Sequence, residues 1–345
     1  MLELTNLNYI LILIEGALFS KSFKNKSKAV MIILATQLVL LLGLRGATVG
    51  VDTHTYLDLF WAKKGGASIS YLELGNRVIY GVVSAVTNNP TWIFLVYAAI
   101  TVVPVLTVIQ KNSKNTFFSV IIYAGFMYYY WAFNAMRQAA AMSVAFWAII
   151  KLEEEKNCEF FLFVILAAML HKSAWIVLLF WVVKRTRIRV NKNWAIWVTV
   201  LSGVSVFVGA KMVSLGTLLV PSYAGYIGSV FAGRGGFLHP LLFLLVFLFI
   251  LLVQGKLDEN ERFYLTMLSV GVILYFVAVR VEIVNRMTYY FTMPLIILLP
   301  NWTESLNRQN KRLVKMVFYT GISLYQFLLV LRGAQGIVPY RFFWQ

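Results

Sequence analysis

The chain has 345 residues, 60% of them hydrophobic and only 13% charged, with a mean hydropathy of +0.75. A soluble globule of this composition would carry a mostly apolar surface, so that class is excluded and a polytopic membrane protein is indicated. The net charge of +17 does not point to nucleic acid, because the cations gather in short loops at 21–28, 111–114, 184–192 and 308–315, and short basic loops are the signal that keeps a loop on the cytoplasmic side.

The interruptions between apolar runs carry Lys, Asn, Pro or Gly, not the alternating pattern of a transmembrane barrel, so the expected fold class is all-α. Placing loops 21–28 and 184–192 inside predicts about twelve transmembrane helices with both termini outside. They fall near 4–20, 28–44, 91–109, 116–133, 135–150, 158–170, 173–183, 194–213, 237–254, 262–279, 287–300 and 313–331. One integral membrane domain over 1–345 accounts for all of them. Residues 1–8 lack the basic character of a cleavable signal, and none is expected. Cys158 is the sole cysteine, which excludes a disulfide within the chain and a cysteine metal cluster.

The run 72–87 is apolar enough to cross, but counting it would put Lys111 and Lys114 outside. Segment 45–90 is therefore read as a long outer excursion holding two juxtamembrane helices that lie on or dip into the interface, one near 53–64 and one near 71–86, broken at Gly65-Gly66. No inverted internal repeat of the kind common in secondary transporters is visible.

Four clusters carry chemistry, and this topology brings all of them to the outer side. The first, Arg45 to Tyr56, leaves the second span through a Gly-rich turn and delivers Asp52 to the N-cap of the first interfacial helix, with Arg45, His54 and Tyr56 nearby. Capping alone would account for Asp52, and an interfacial aromatic belt for Tyr56. In the second, Asn134, Arg137 and Gln138 are spaced to share one helix face, followed by alanines that permit close packing. The third is His171 at a helical-hairpin tip, where a base could meet a hydroxyl. The fourth is Arg280-Val-Glu282-Ile-Val-Asn285-Arg286 with Tyr289; an Arg280–Glu282 ion pair would leave Arg286 to explain.

The inner cations are mostly Lys and the outer ones mostly Arg. Positive-inside bias explains the first set. The second suits a strongly anionic ligand, since the planar Arg fork binds phosphate or carboxylate through paired hydrogen bonds; the alternative for each Arg is a lipid headgroup or a helix C-terminus. Polar groups held at membrane boundaries are costly unless they bind or react. A flippase or transporter of lipid-linked sugar would also use arginines, but with charges near mid-membrane and broken helices. An intramembrane acyltransferase or protease lacks its nucleophile or metal pair here. No Walker-type loop is present, so ATP is not expected.

Arg45 with Gly50-Val-Asp52-Thr-His-Thr-Tyr56, Asn134-x-x-Arg137-Gln138, His171-Lys-Ser-Ala and the Arg280–Arg286 block together resemble the EpsG family of bacterial exopolysaccharide polymerases and, more distantly, Wzy-type polymerases, over roughly 30–300. The resemblance implies a multi-pass enzyme of the bacterial plasma membrane that joins oligosaccharide repeat units carried on undecaprenyl diphosphate at the outer face, releasing polyprenyl diphosphate. It implies that Asp52, Arg137, His171, Arg280 and Arg286 lie near the active site, and it is compatible with a glycosyltransferase-C-like architecture. In such a reaction Arg137, Arg280, Arg286 and Arg45 would bind the diphosphate, and His171 or Asp52 would take the acceptor proton. Asn134, Gln138, Tyr56, His54, Glu282 and Tyr289 would contact substrate. No cofactor is expected, although Asp52 and Glu73 with a diphosphate could hold a divalent metal. The partners expected are lipid-linked oligosaccharides, membrane lipids, and a flippase and chain-length regulator of the same pathway, with no nucleic acid.

Overall fold

In the computed structural model, residues 28–219, 236–253, 256–331, 333 and 336–345 are described. Among them the secondary structure is helical, without strands. The expected span at 4–20 and residues 220–235 lie outside the described residues. The helices group into two compact units, Met1–Val177 with Arg308–Gln345, and Leu178–Asn307.

The first unit is built on four neighbouring helices, α1 (Lys28–Gly43), α4 (Thr91–Asn112), α7 (Met136–Glu153) and α8 (Asn157–Leu170). Between α1 and α4 the chain forms α2 (Thr53–Lys64) and α3 (Leu74–Val86), close to the two juxtamembrane helices expected. Gly43, at the end of α1, packs against Leu95 near the start of α4, and Lys111, near the end of α4, lies 5.3 Å from the Trp147 ring on α7. The Ser143 hydroxyl donates to the Thr101 carbonyl at 2.6 Å and joins α4 to α7 midway. α8 runs back along α7, so α1 and α8 run in one direction and α4 and α7 in the other. Lys28, Lys111, Lys114, Lys151 and Lys156 collect at one end of the bundle, while Arg45, Arg137 and His171 collect at the other.

α3 has its amphipathicity inverted. Asn76, Tyr80 and Ser84 face inward and are buried, whereas Leu74, Val78, Val82 and Val86, also at four-residue spacing, are 50, 54, 58 and 82% exposed. A helix in water would reverse this pattern; one against lipid would adopt it. Among the described residues α4 and α12 (Glu259–Ala278) are long and apolar enough to cross a membrane, and six further apolar helices are shorter.

The structure corrects the expected span 116–133. It divides into α5 (Thr116–Gly125) and the single turn α6 (Tyr128–Trp131), around Met127 with φ 69°. Ending a helix here strands carbonyls, and Gln326 of α15 (Arg308–Leu331) answers by donating its side-chain amide to the Ala124 and Gly125 carbonyls at 3.1 and 3.0 Å. Gly125 admits Ile322 of the same helix.

In the second unit α12 is the hub. α9 (Leu178–Thr186), α10 (Trp194–Leu219), α11 (Leu238–Leu252), α13 (Asn285–Thr292) and α14 (Leu295–Glu304) complete it. α12 starts at a capping box, with Asp258 accepting from the Glu261 amide at 2.8 Å and Glu261 from the Asp258 amide at 3.0 Å. The expected span 173–183 begins as a 3₁₀ turn, Lys172–Val177, and 287–300 is cut at Pro294, whose ring removes a donor from the ladder.

Candidate functional site

Arg137 is the second residue of α7, where the amide ends of the helix repel a cation. An anion must compensate, and Glu73 does so: Arg137 Nη1 donates to its Oε2 at 2.9 Å. That carboxylate oxygen also accepts from Asn76 Nδ2 at 2.8 Å, while Oε1 accepts from the Lys172 amide at 3.2 Å. One carboxylate thus joins the start of α3, the start of α7 and the end of α8. Half-burial pushes the Glu73 carboxyl up, but its own backbone amide, Arg137, the Lys172 amide and His171 together outweigh this and hold it below the usual carboxylate range. The Nε and Nη2 groups of Arg137 make no hydrogen bond within the described residues.

Glu73 is itself held in place. Asn76 donates to the Leu170 carbonyl at 2.8 Å and accepts from the Tyr97 hydroxyl, and Gly75 brings the α3 backbone so close to Met169 that a Cβ would stand 2.7 Å from its carbonyl oxygen. His171 caps α8 in an extended conformation. Its Nδ1 lies 2.7 Å from Ser173 Oγ and accepts from the Ser173 amide at 3.3 Å, so the ring is oriented by its own turn.

The Asp52 loop reaches the same end of the bundle. Asp52 is the N-cap residue of α2, as expected, but its side chain makes no capping bond, so the capping explanation does not account for it. Gly50, at φ 89°, passes directly over the Phe133 carbonyl, an approach a side chain would block. Asn134 Oδ1 accepts from the Val51 amide at 2.6 Å, and the Tyr56 hydroxyl donates to the Asn134 carbonyl at 2.6 Å while accepting from the Met136 amide at 3.1 Å. Burial, helped by the Asp52 carboxylate, pushes Tyr56 up to about 12, which keeps it a neutral donor. Asn134 stands in the turn before α7, not on a helix face with Arg137 and Gln138, because α7 begins only at Met136.

Arg45 does not present itself to a ligand. It is 1% exposed. Its guanidinium donates to the Leu42 carbonyl at 2.7 Å and to Thr53 Oγ1 at 3.4 Å, and lies 4.4 Å from the Phe94 ring. It holds the corner between α1 and α2. Gln138 is buried within the bundle, and His54 is exposed on α2. The C-terminal tail closes over this corner: Gly46 N–H donates to the Arg341 carbonyl at 2.7 Å, Phe343 N–H to the Leu44 carbonyl at 2.9 Å, and Gly50 N–H to the Gly336 carbonyl at 2.8 Å.

In the second unit Arg280, Glu282, Arg286 and Tyr289 surround the corner from α12 to α13. Arg280 is exposed, with Nε donating to the Val206 carbonyl at 3.2 Å, and forms no ion pair with the exposed Glu282. Arg286 is half-buried and Tyr289 buried. Val277, Ala278, Val281 and Val284 pack beneath the corner and fix it.

Sequence reasoning gave Glu73 only a metal-holding role beside Asp52 and overlooked Asn76, Tyr97 and Ser173. The pattern that reveals the first two is Glu73 and Asn76 three apart at the head of an apolar helix, with Tyr80 and Ser84 continuing the polar stripe. Among the described residues no three His, Cys, Asp or Glu side chains gather to hold a metal.

The EpsG family model matches residues 28–342, so the similarity continues past 300 into the tail that packs on the Asp52 loop. No curated protein and no solved structure matches the chain. The chain belongs to the EpsG family, a family of Wzy-like polysaccharide polymerases, and is a membrane protein.

Proposed function

Starting from membership of the EpsG family, we propose that the protein is a multi-pass glycosyltransferase that joins oligosaccharide repeat units carried on undecaprenyl diphosphate at the outer face of the bacterial plasma membrane. The observation that carries the mechanism is the meeting of Arg137, Glu73 and the His171 turn at the end of the bundle opposite Lys111, Lys151 and Lys156. A glycosyl diphosphate is an activated donor. The acceptor hydroxyl oxygen bonds to the anomeric carbon, the bond from that carbon to the phosphate oxygen breaks, and the electron pair departs with the polyprenyl diphosphate. The proton of the hydroxyl passes to a base.

Arg137 supports the departing charge through its Nε and Nη2 groups, while Arg280 and Arg286, in the second unit, keep the diphosphate-binding role that the sequence suggests for them. His171 takes the proton at Nδ1 by way of the Ser173 hydroxyl beside it, and the Asp52 carboxylate stands by the developing sugar cation. Arg45, Asn134 and Tyr56 shape the loop that carries Asp52. Gln138 packs inside the bundle and Tyr289 inside the second unit, while His54 and Glu282 contact the glycan or its carrier. The reaction proceeds without a cofactor in this reading. A flippase and a chain-length regulator would supply the donor and end the chain.

The helix breaks at Met127 and Pro294 are the feature a transporter of lipid-linked sugar would share, so the test must separate the two. Purified protein given a lipid-linked repeat unit is expected to make longer lipid-linked glycans and release polyprenyl diphosphate without a nucleotide sugar. Movement of the unit across a vesicle membrane with no lengthening would replace the polymerase reading by the transporter one.

A further inference from the structure

We propose that Glu73 is a positioning residue that turns Arg137 so that only one edge of its guanidinium meets the anionic ligand. The proposal rests on the reading of Arg137 as a diphosphate ligand. A guanidinium offers two paired-donor edges, and the ion pair with Glu73 engages Nη1 alone. Nε and Nη2, which lie side by side and point the same way, form the edge that matches two oxygens of a phosphate. Arg137 keeps 26% of its side-chain surface accessible and Glu73 18%, so the pair stands at the margin of the protein with the unpaired edge able to reach a ligand.

Glu73 suits this task because it cannot readily follow Arg137 toward a ligand. Asn76 and the Lys172 amide anchor its two oxygens from different segments, and Asn76 is fixed in turn by the Leu170 carbonyl and Tyr97. A flexible arginine side chain loses considerable rotamer freedom when it is aligned with the departing diphosphate, and an ion pair formed beforehand removes that cost from the reacting step. The same carboxylate opposes the incoming anion electrostatically. Glu73 therefore weakens simple anion attraction while improving the geometry of the bound state, and these two effects have opposite signs in binding and in turnover.

That opposition makes the role testable in the purified full chain. Inorganic pyrophosphate is the binding probe, and turnover is elongation of a lipid-linked repeat unit. Glu73→Gln removes the opposing charge, so pyrophosphate should bind roughly threefold more tightly, the scale of a partly exposed ion pair. Elongation should slow by about tenfold or more as orientation is lost. Both changes should disappear in an Arg137→Ala background. Glu73→Asp keeps the charge but withdraws it by one carbon, and should slow elongation without tightening pyrophosphate. A residue that merely held the fold would weaken both activities together and independently of Arg137, and that result, or unchanged elongation in Glu73→Gln, overturns the proposal. If the wild-type protein fails to elongate glycan but the Arg137-dependent tightening is seen, the polymerase reading fails while the positioning role stands; absence of the tightening removes the positioning role alone.

Discussion

The two ends of the α7–α8 hairpin hold charges in opposite ways. At the turn, Lys151 pairs with Glu154 at 3.0 Å and Glu159 at 3.1 Å, and Lys156 with Glu154 at 3.0 Å; every partner lies within one short stretch of chain and much of the cluster faces outward. At the other end Arg137 meets Glu73 across 64 positions of sequence, inside a set of bonds that also ties Asn76, Tyr97 and Lys172. Neighbouring charges meet because the chain delivers them together. Distant, half-buried charges meet only where the fold has placed them, and burying charge without a use is costly. On this comparison we propose the second end as the working end.

The sharpest way to break the comparison is to ask whether the two ends lie on opposite sides of a membrane. In a background with the exposed Cys158 replaced, single cysteines at His54 and Lys172 should react with a membrane-impermeant thiol reagent added outside, and cysteines at Lys114 and Lys156 should react only after permeabilisation. Labelling of all four from one side would remove the polarity on which the functional reading depends.

Catalysis should divide the ends next most strongly. His171→Ala is expected to lower elongation by about 10²–10⁴-fold, the usual contribution of a positioned acid or base, with pyrophosphate binding nearly intact. Normal elongation by this variant would make Asp52 the preferred base. Arg137→Lys keeps the charge but loses the paired donors, so a loss of about tenfold or more is expected. Lys151→Arg, at the other end, should leave elongation unchanged at equal protein level.

These contrasts also show what was readable from the sequence. The helices at 28–43, 53–64, 91–112 and 157–170 follow from apolar runs punctuated by Gly, Lys and Asn, all local signals, and so does the gathering of Lys28, Lys111, Lys114, Lys151 and Lys156 at one end. The break at Met127 was not readable, because Gln326 makes it tolerable from about two hundred positions away. Arg137 and His171 stood out as polar residues at the ends of apolar runs. Arg45 stood out for the same reason, yet its surroundings of Phe94, Thr53 and Leu42 turn it inward. Glu73 was underrated because its importance lies in two partners on distant segments, Arg137 and the Lys172 amide. A residue type and its spacing suggest chemistry; which atoms remain available to a ligand is a property of the packing.

Acid should act on the two ends through different groups. The Glu73 carboxyl is held below its ordinary value in the folded protein, so its contribution to stability is complete above the unfolded value and is lost as pH falls through the folded one. Wild-type protein should therefore lose stability on acidification through and below the ordinary carboxylate range, and Glu73→Gln should lose less over the same interval. Identical acid profiles would mean that the Glu73–Arg137 pair contributes nothing to folding.

The smallest effect is expected from Lys151→Ala. Lys151 and Lys156 both reach Glu154 and Glu159, so removing one cation leaves each carboxylate near the other, and largely exposed pairs contribute only about 0.2–1 kcal/mol. For a chain of this size that corresponds to a fall in Tm of at most about 2–4 °C, with elongation unchanged. High salt should erase most of the difference, because exposed charges are screened. At the Glu73 end, by contrast, half-burial shields the pair from salt and a substitution should act chiefly on turnover. Should Lys151→Ala reduce elongation as strongly as Arg137→Lys at equal protein level, both ends would be working ends, and the separation between a pinning turn and a reacting site would have to be abandoned.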